Sequence, residues 1–185
     1  EEQLDELDDD AVLGVGTVAD MTWKQRLDLM TCTECGRCQE LCPAWNTGKP
    51  LSPKLLMMEM RDHVAAVEQV EALGEDAFQE DEDGNVLVNS NVPDTAHSGD
   101  LLGALIASKN TGEAGVALTA EPLVGNVVAE DALWDCTMCG ACVDQCPVDI
   151  EHIDHILGLR RHQVIMESAF PRELQRPFRS LESKA

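Results

Sequence analysis

Residues 32–43 read Cys-Thr-Glu-Cys-Gly-Arg-Cys-Gln-Glu-Leu-Cys-Pro, and residues 136–147 read Cys-Thr-Met-Cys-Gly-Ala-Cys-Val-Asp-Gln-Cys-Pro. Both stretches have the spacing C-x2-C-x2-C-x3-C-P. They begin 104 residues apart and are identical at seven of twelve positions. All eight cysteines of the 185-residue chain lie in these two motifs: Cys32, Cys35, Cys38, Cys42, Cys136, Cys139, Cys142 and Cys146.

Three kinds of cysteine chemistry compete for this pattern. Disulfides between cysteines this close would close very short loops, which stabilise a chain least. Structural zinc favours two separated C-x2-C pairs with four ligands in all. The doubled run is instead the spacing of bacterial proteins with two iron–sulfur clusters. We therefore predict two [4Fe–4S] clusters, with a structural zinc module as the alternative.

The fourth cysteine of such a run ligates the other cluster in two-cluster proteins. We therefore predict a crossed assignment, in which each cluster takes its fourth ligand from the other motif. The expected ligands are Cys32, Cys35, Cys38 and Cys146 for cluster I, and Cys136, Cys139, Cys142 and Cys42 for cluster II.

The residues next to the cysteines agree with cluster binding. A glycine before the third cysteine (Gly36, Gly140) would let the backbone pass close to sulfide. A proline after the fourth cysteine (Pro43, Pro147) would turn the chain away.

Composition and charge exclude several other functions. With 13 Lys and Arg against 35 Asp and Glu, the net charge of −22 would repel nucleic-acid phosphates, so nucleic acid is not an expected partner. No apolar run approaches the length of about 18 residues that a membrane span needs, so we expect this piece itself to be soluble. Because the chain begins at Glu1 without Met, we interpret it as a fragment of a longer protein.

The pattern of the whole chain predicts one mainly α-helical domain in four segments. An acidic flexible tail (1–20) precedes a first cluster half with a long helix (21–74). An insertion (75–128) contains a possible short β-hairpin, and a second cluster half with C-terminal helices follows (129–185). Thr22 is predicted to cap a helix from Trp23, and Ser52-Pro53 to open a helix that runs to Leu73 with an apolar stripe.

The second half is predicted to contain a helix from Asp149 to about Ser168, and a last helix is predicted over 171–183. The apolar face of the first of these helices is expected at Ile153, Ile156, Leu157, Val164 and Ile165.

We find no motif for a substrate site. Gly14-Val15-Gly16 stands alone and does not form a dinucleotide-binding fingerprint. His152 and His155 lie on one helical face but lack the second set of ligands that a further metal centre would need. Whether the chain is itself an enzyme is therefore open, and no catalytic residue is assigned.

The two motifs with their flanks resemble the ferredoxin-like module of heterodisulfide-reductase-like iron–sulfur oxidoreductases. The resemblance is carried by residues 31–54, with Ala-Trp-Asn-Thr-Gly-Lys-Pro-Leu-Ser-Pro-Lys after Cys42-Pro43, and by residues 134–155. It covers roughly residues 13–60 and 129–182 and implies the α-helical ferredoxin fold. The sequence is most similar to the actinobacterial membrane type, a menaquinone reductase linked to electron-transferring flavoprotein.

That resemblance implies an electron-transfer module that relays electrons between a flavoprotein, expected to be electron-transferring flavoprotein, and a quinone or haem site in the membrane. It implies cytochrome-b-like membrane domains and cysteine-rich CCG domains as neighbours in the same longer protein, and a location at the cytoplasmic face of the membrane. A heterodisulfide-reductase or glycolate-oxidase type of iron–sulfur subunit is the alternative within this class.

Overall fold

The computed structural model describes residues 11–73, 78–80, 86–88 and 122–184, and its side chains are described in 11–68 and 122–184. This part of the chain is mainly helical, as predicted. Single turns of 3-10 helix at Val18–Asp20 and Arg172–Leu174 accompany the longer elements. In chain order these are α1 (Trp23–Thr31), α2 (Arg37–Glu40), α3 (Pro43–Asn46), α4 (Pro53–Leu73), β1 (Phe78–Glu80), β2 (Val86–Val88), α5 (Leu123–Asn126), α6 (Glu130–Trp134), α7 (Ala141–Asp144), α8 (His152–Ile165) and α9 (Gln175–Glu182).

Helix α1 begins where the sequence predicts, because Thr22 and Gln25 form a capping box. The Gln25 N–H donates to Thr22 Oγ1 over 3.2 Å, and the Thr22 N–H donates to Gln25 Oε1 over 2.9 Å. This reciprocal pair satisfies two backbone donors that have no partner within the helix. The start of α1 is thereby held about two and a half turns before the first cysteine motif.

The long helix α4 provides the main apolar face of the core. Ser52 Oγ accepts from the Leu55 N–H over 3.2 Å and Pro53 occupies the first helical position, which confirms the predicted start of this helix. The predicted stripe is buried over its described length, with exposed fractions between 0 and 3% at Leu56, Met60, Val64 and Val67. Truncation of one such side chain to alanine typically costs about 2–5 kcal/mol.

Helix α8 is shorter than predicted, and only part of its predicted apolar face is buried. It begins at His152 rather than Asp149 and ends at Ile165 rather than near Ser168. Leu157 and Ile165, expected in the core, are 40% and 51% exposed. Asp149 has a φ of 54°, outside the helical region, and this delays the start of the helix. The buried residues of α8 are His152, His155, Ile156, Gly158, Leu159 and Gln163.

The predicted acidic tail does not extend to residue 20. Residues 1–10 lie outside the described chain, but Val15 and Val18 are buried, and the Val15 N–H donates to the Gly158 carbonyl over 3.0 Å. Gly14 and Gly16 make this contact possible, because a Cβ at Gly14 would lie 2.4 Å from the His162 backbone nitrogen. The isolated Gly-Val-Gly stretch therefore packs a backbone segment against α8.

The predicted insertion is described only in part. β1 pairs antiparallel with β2, with Phe78 opposite Val88. The connection over 81–85 and residues 89–121 lie outside the described residues, so the hairpin as a whole stays a prediction. At the other end, the predicted last helix consists of the turn at Arg172–Leu174 followed by α9. No helix among the described residues combines the length and apolarity that crossing a bilayer requires.

Candidate functional site

The two cysteine motifs form loops of the same conformation, loop I in residues 32–38 and loop II in residues 136–142. In each loop the residue before the second cysteine has a positive φ, 56° at Glu34 and 53° at Met138. The glycine before the third cysteine also has a positive φ, 81° at Gly36 and 78° at Gly140. A repeated left-handed residue is costly for a side chain with a Cβ, so its occurrence at matching positions shows that both loops are built to one plan.

Each loop leads into one turn of helix that carries the third cysteine into the interior. Cys38 lies in α2 and Cys142 in α7, and both side chains are buried. The fourth cysteine of the first motif, Cys42, is buried at the N-cap of α3, with Pro43 at the first helical position. Because α2 packs against α7, the two motifs meet at the centre of the molecule.

Cavity I contains three cysteines of the first motif and one of the second. Its walls include Cys32, Cys35, Cys38 and Cys146. Glu34, Lys54 and His152 also line it. The structure therefore brings together the four residues predicted to hold cluster I.

Cavity II is the counterpart with the opposite crossing. Its walls include Cys136, Cys139 and Cys142 of the second motif together with Cys42 of the first. The other lining residues are uncharged, among them Leu51, Ile153 and Ile156. The structure therefore also brings together the four residues predicted to hold cluster II.

The eight thiols differ in exposure in a matched way. In each loop the second cysteine, Cys35 or Cys139, is exposed, whereas the third is buried. Burial raises the pKa of the Cys38 thiol to about 11 and that of the Cys142 thiol to about 12. These buried thiols hold their protons at neutral pH, so binding of iron at either cavity must release them.

Backbone N–H groups point at the sulfurs. The N–H of Arg37 lowers the pKa of Cys35, and the N–H of Ala141 lowers the pKa of Cys139 in the matching position. The Met138 N–H donates to Cys136 Sγ over 3.3 Å. Such donors stabilise negative charge on thiolate sulfur and help to set the potential of a cluster.

An internal cluster of charged and polar groups lies beside cavity I. The buried Asp28 carboxylate accepts from Lys24 Nζ over 2.6 and 2.8 Å, and His155 Nε2 lies 3.8 Å from Asp28 Oδ2. Burial lowers the pKa of His155 to about 4, although Asp28 opposes that shift. His152 Nδ1 lies 3.0 Å from the Ile150 carbonyl, and burial also lowers the pKa of His152. The sequence places the two histidines on one helical face but does not predict that they are buried. Their burial depends on contact with Asp28, whose carboxylate also accepts from the Glu151 N–H, 123 residues away in the chain.

A partly buried arginine lies beside cavity II, and its contacts were not predicted from the sequence. Arg160 in α8 donates from Nε and Nη2 to the Leu133 carbonyl and from Nη2 to the Cys136 carbonyl. Its Cζ lies 5.0 Å from the centre of the Trp134 ring. No local signal in the sequence distinguishes Arg160 from its exposed neighbour Arg161.

The donor set fits iron–sulfur clusters better than single metal ions or disulfides. All eight cysteines are free thiols. The described residues contain no group of three or more His, Cys, Asp or Glu side chains that could hold one metal ion. Four thiols spread around a cavity suit a group with a metal at each corner, as in a cubane cluster.

Comparison with protein families supports the same cofactor. A family model described as a 4Fe-4S dicluster domain matches residues 31–150. The match contains both cysteine motifs and the whole segment between them. No solved structure matches the chain.

Three curated proteins are similar over most of the chain. A probable iron-sulfur-binding oxidoreductase FadF of Bacillus subtilis (strain 168) is 39% identical over 175 residues, covering 91% of this chain and 23% of the relative. A probable membrane-anchored ferredoxin of Chromohalobacter salexigens is 37% identical, covering 91% of the chain and 21% of the relative. An EtfAB:quinone oxidoreductase of Syntrophomonas wolfei is 34% identical, covering 91% of the chain and 21% of the relative. The chain thus spans less than a quarter of the length of these relatives.

Proposed function

Since the chain belongs to the 4Fe-4S dicluster domain family, we propose that this electron-transfer module relays electrons between a flavoprotein and a quinone or haem site in the membrane. Two [4Fe–4S] clusters are its cofactors, and they supply one-electron storage when bound. The two cavities, each lined by three cysteines of one motif and the fourth cysteine of the other, carry this proposal.

The proposed ligands are the crossed sets, and the fold is the α-helical ferredoxin type. Cys146 completes the set of Cys32, Cys35 and Cys38, and Cys42 completes the set of Cys136, Cys139 and Cys142. The lining of the two cavities supports this assignment. Crossing ties the two halves of the chain to each other through metal, so folding and cofactor binding are coupled.

The exposure of the cysteines supports a path for electrons through the molecule. Buried Cys38 and Cys142 belong to helices α2 and α7, which pack against each other. Exposed Cys35 and Cys139 lie at the surface of cavities I and II. We assign the buried pair to the path between the clusters and the exposed pair to the two points where redox partners approach.

The identity of the partners is proposed from the relatives. One relative is named an EtfAB:quinone oxidoreductase, which supports electron-transferring flavoprotein on one side and a quinone on the other. Another is named a membrane-anchored ferredoxin, which supports a place at a membrane. The cytoplasmic face, and cytochrome-b-like and CCG domains of the same longer protein, are proposed from the resemblance of the two motifs alone.

The proposal is tested by anaerobic purification followed by iron and sulfide analysis, with EPR before and after reduction. We expect about eight iron and eight sulfide per chain, and signals of two interacting reduced clusters. About two zinc per chain without an EPR signal would instead indicate a structural module.

The partner is tested separately with the loaded protein. Reduced electron-transferring flavoprotein mixed with the oxidised chain should bleach its visible absorption in a stopped-flow experiment. A reduced flavodoxin-type protein at equal concentration is the control. Equal rates with both donors would contradict a specific flavoprotein partner while leaving the two-cluster relay intact.

A further inference from the structure

Arg160 is a cation without a carboxylate partner in a strongly acidic molecule. The net charge of the chain is −22, and three other cations beside the motifs are paired with carboxylates. Lys24 pairs with Asp28, Lys49 with Asp135, and Arg61 with Glu34. In the part of the chain that the structure describes, no carboxylate pairs with Arg160, which is held instead by two carbonyls and an aromatic face.

Partial burial makes an unpaired guanidinium unfavourable unless negative charge lies nearby. Burial lowers the pKa of Arg160, and the Cys136 thiolate is the group that opposes this shift. Arg160 Nη2 donates to the Cys136 carbonyl over 2.8 Å, so the cation lies beside the first cysteine of the second motif, which lines cavity II.

The surroundings of the two cavities make this cation important for one of them. Cavity II has no charged residue in its lining, whereas Glu34 and Lys54 line cavity I. In an apolar setting a nearby charge is screened less than in water, so a single cation has a larger effect. Arg61, in α4, contacts loop I, but Glu34 and Asp62 neutralise it.

We propose that Arg160 is a positioning and potential-setting residue for cluster II, which fixes loop II through the Cys136 carbonyl and favours the reduced state of that cluster by its uncompensated charge. This inference rests on the proposed ligand set of cavity II. Adding an electron increases the negative charge at the thiolate-bound cluster, so a nearby cation raises its reduction potential. Beside cavity I several charged groups lie together instead, since Glu34 and Lys54 line it and Arg37 belongs to its motif.

The test is a redox titration of the loaded full chain, followed by EPR, on R160M, R160Q and R160K. R160M removes the charge and keeps aliphatic bulk, R160Q keeps a hydrogen-bond donor without charge, and R160K keeps the charge without the guanidinium fork. We expect R160M and R160Q to lower the reduction equilibrium constant of cluster II about tenfold, which is 59 mV for a one-electron couple. R160K should keep most of the wild-type value, and cluster I should not shift.

The matched control is R161M, which removes the same charge from the adjacent, exposed position on α8. It should leave the reduction equilibrium constants of both clusters within a factor of two of wild type. The signal that changes in C139S identifies cluster II, and the one that changes in C35S identifies cluster I.

The variants separate the effect of the charge of Arg160 from its effect on assembly of the site. Equal shifts in R160Q and R160K, equal shifts in R160M and R161M, or no shift in any Arg160 variant would overturn the proposal. Loss of cluster II from both R160Q and R160K would also overturn it, since Arg160 would then be needed only for assembly. A wild-type chain without iron would contradict the proposed function itself, which is a separate outcome.

Discussion

Loop I and loop II have nearly the same backbone, but the side chains around them differ. Glu34 and Met138 share a positive φ, as do Gly36 and Gly140, and α2 and α7 carry buried third cysteines in the same way. Cavity I is lined by charged and histidine side chains, and cavity II by uncharged ones with Arg160 behind its first cysteine. A repeated motif therefore specifies a ligand loop, while the packing around each copy gives the two clusters different environments.

The largest expected effect comes from breaking the crossing. Cys42→Ser should lower the iron content from about eight to about four per chain and remove the EPR signal of cluster II, because Cys42 lines the cavity of the second motif. Cys146→Ser should do the same to cluster I. Iron analysis and EPR of the reduced protein measure both.

The control for this prediction uses cysteines whose assignment does not depend on crossing. C42S should affect the signal that C139S affects, and C146S the signal that C35S affects. If C42S and C35S perturbed the same centre, each motif would hold its own cluster.

The next effect tests whether the two loops are equally strained. Gly36→Ala and Gly140→Ala place a Cβ at φ values of 81° and 78°, where nothing lies within 4 Å of it. Each should cost about 1–2 kcal/mol for the left-handed conformation alone, and the two costs should be equal. Chemical unfolding of the loaded variants measures this. A much larger cost for one glycine would show that its loop is more tightly packed than the other.

The stability of the folded protein should depend on pH through a histidine on the side of cavity I. The pKa of His155 is lowered by burial to about 4, against an unfolded value of about 6.5, so the unfolded state binds the proton more readily between these values. Stability from this group is present above pH 6.5 and is lost as the pH falls toward 4. Between pH 6.5 and 5.5 the loss should be about 1 kcal/mol.

His155→Gln should remove this part of the pH dependence. Asp28 and Asp154 raise the pKa of His155, whereas His152 and Lys24 lower it. These four ionisable groups still surround the position in the variant. Unfolding of wild type and H155Q from pH 7.5 to 5.5 gives the difference directly. Parallel curves for the two proteins would show that His155 does not titrate in this range, and R161M serves as an exposed control on the same helix.

The smallest effects are expected from the exposed ion pairs beside each loop. Glu34→Gln breaks a pair with Arg61 beside cavity I, and Lys49→Met breaks a pair with Asp135 beside cavity II. Each should change stability by at most about 1 kcal/mol, since water screens such pairs. Raising the salt concentration should shrink both effects. A loss several times larger in only one variant would reveal a loop that depends on its surface charge.

Much of the candidate site could be predicted from local sequence, but its surroundings could not. The spacing of the cysteines predicted the ligand sets that the two cavities bring together, and Ser52-Pro53 with the stripe from Leu56 to Val67 predicted α4, because caps and periodicity act over a few residues. Residues 11–20 looked like a continuation of an acidic tail, yet Gly14 and Gly16 let them pack on α8. That contact joins positions more than 140 residues apart, and no local pattern encodes it.

By itself the sequence determined the eight thiols, their two loops and the cofactor class, because the spacing of cysteines is a local covalent property that allows few alternatives. Tertiary structure alone decided which side chains surround each loop. His152 and His155 became buried beside Asp28, and Arg160 met the carbonyl of Cys136, because separate helices pack together there. Burial and charge at short range depend on that packing, so the difference between the two cavities belongs to the fold rather than to the motif.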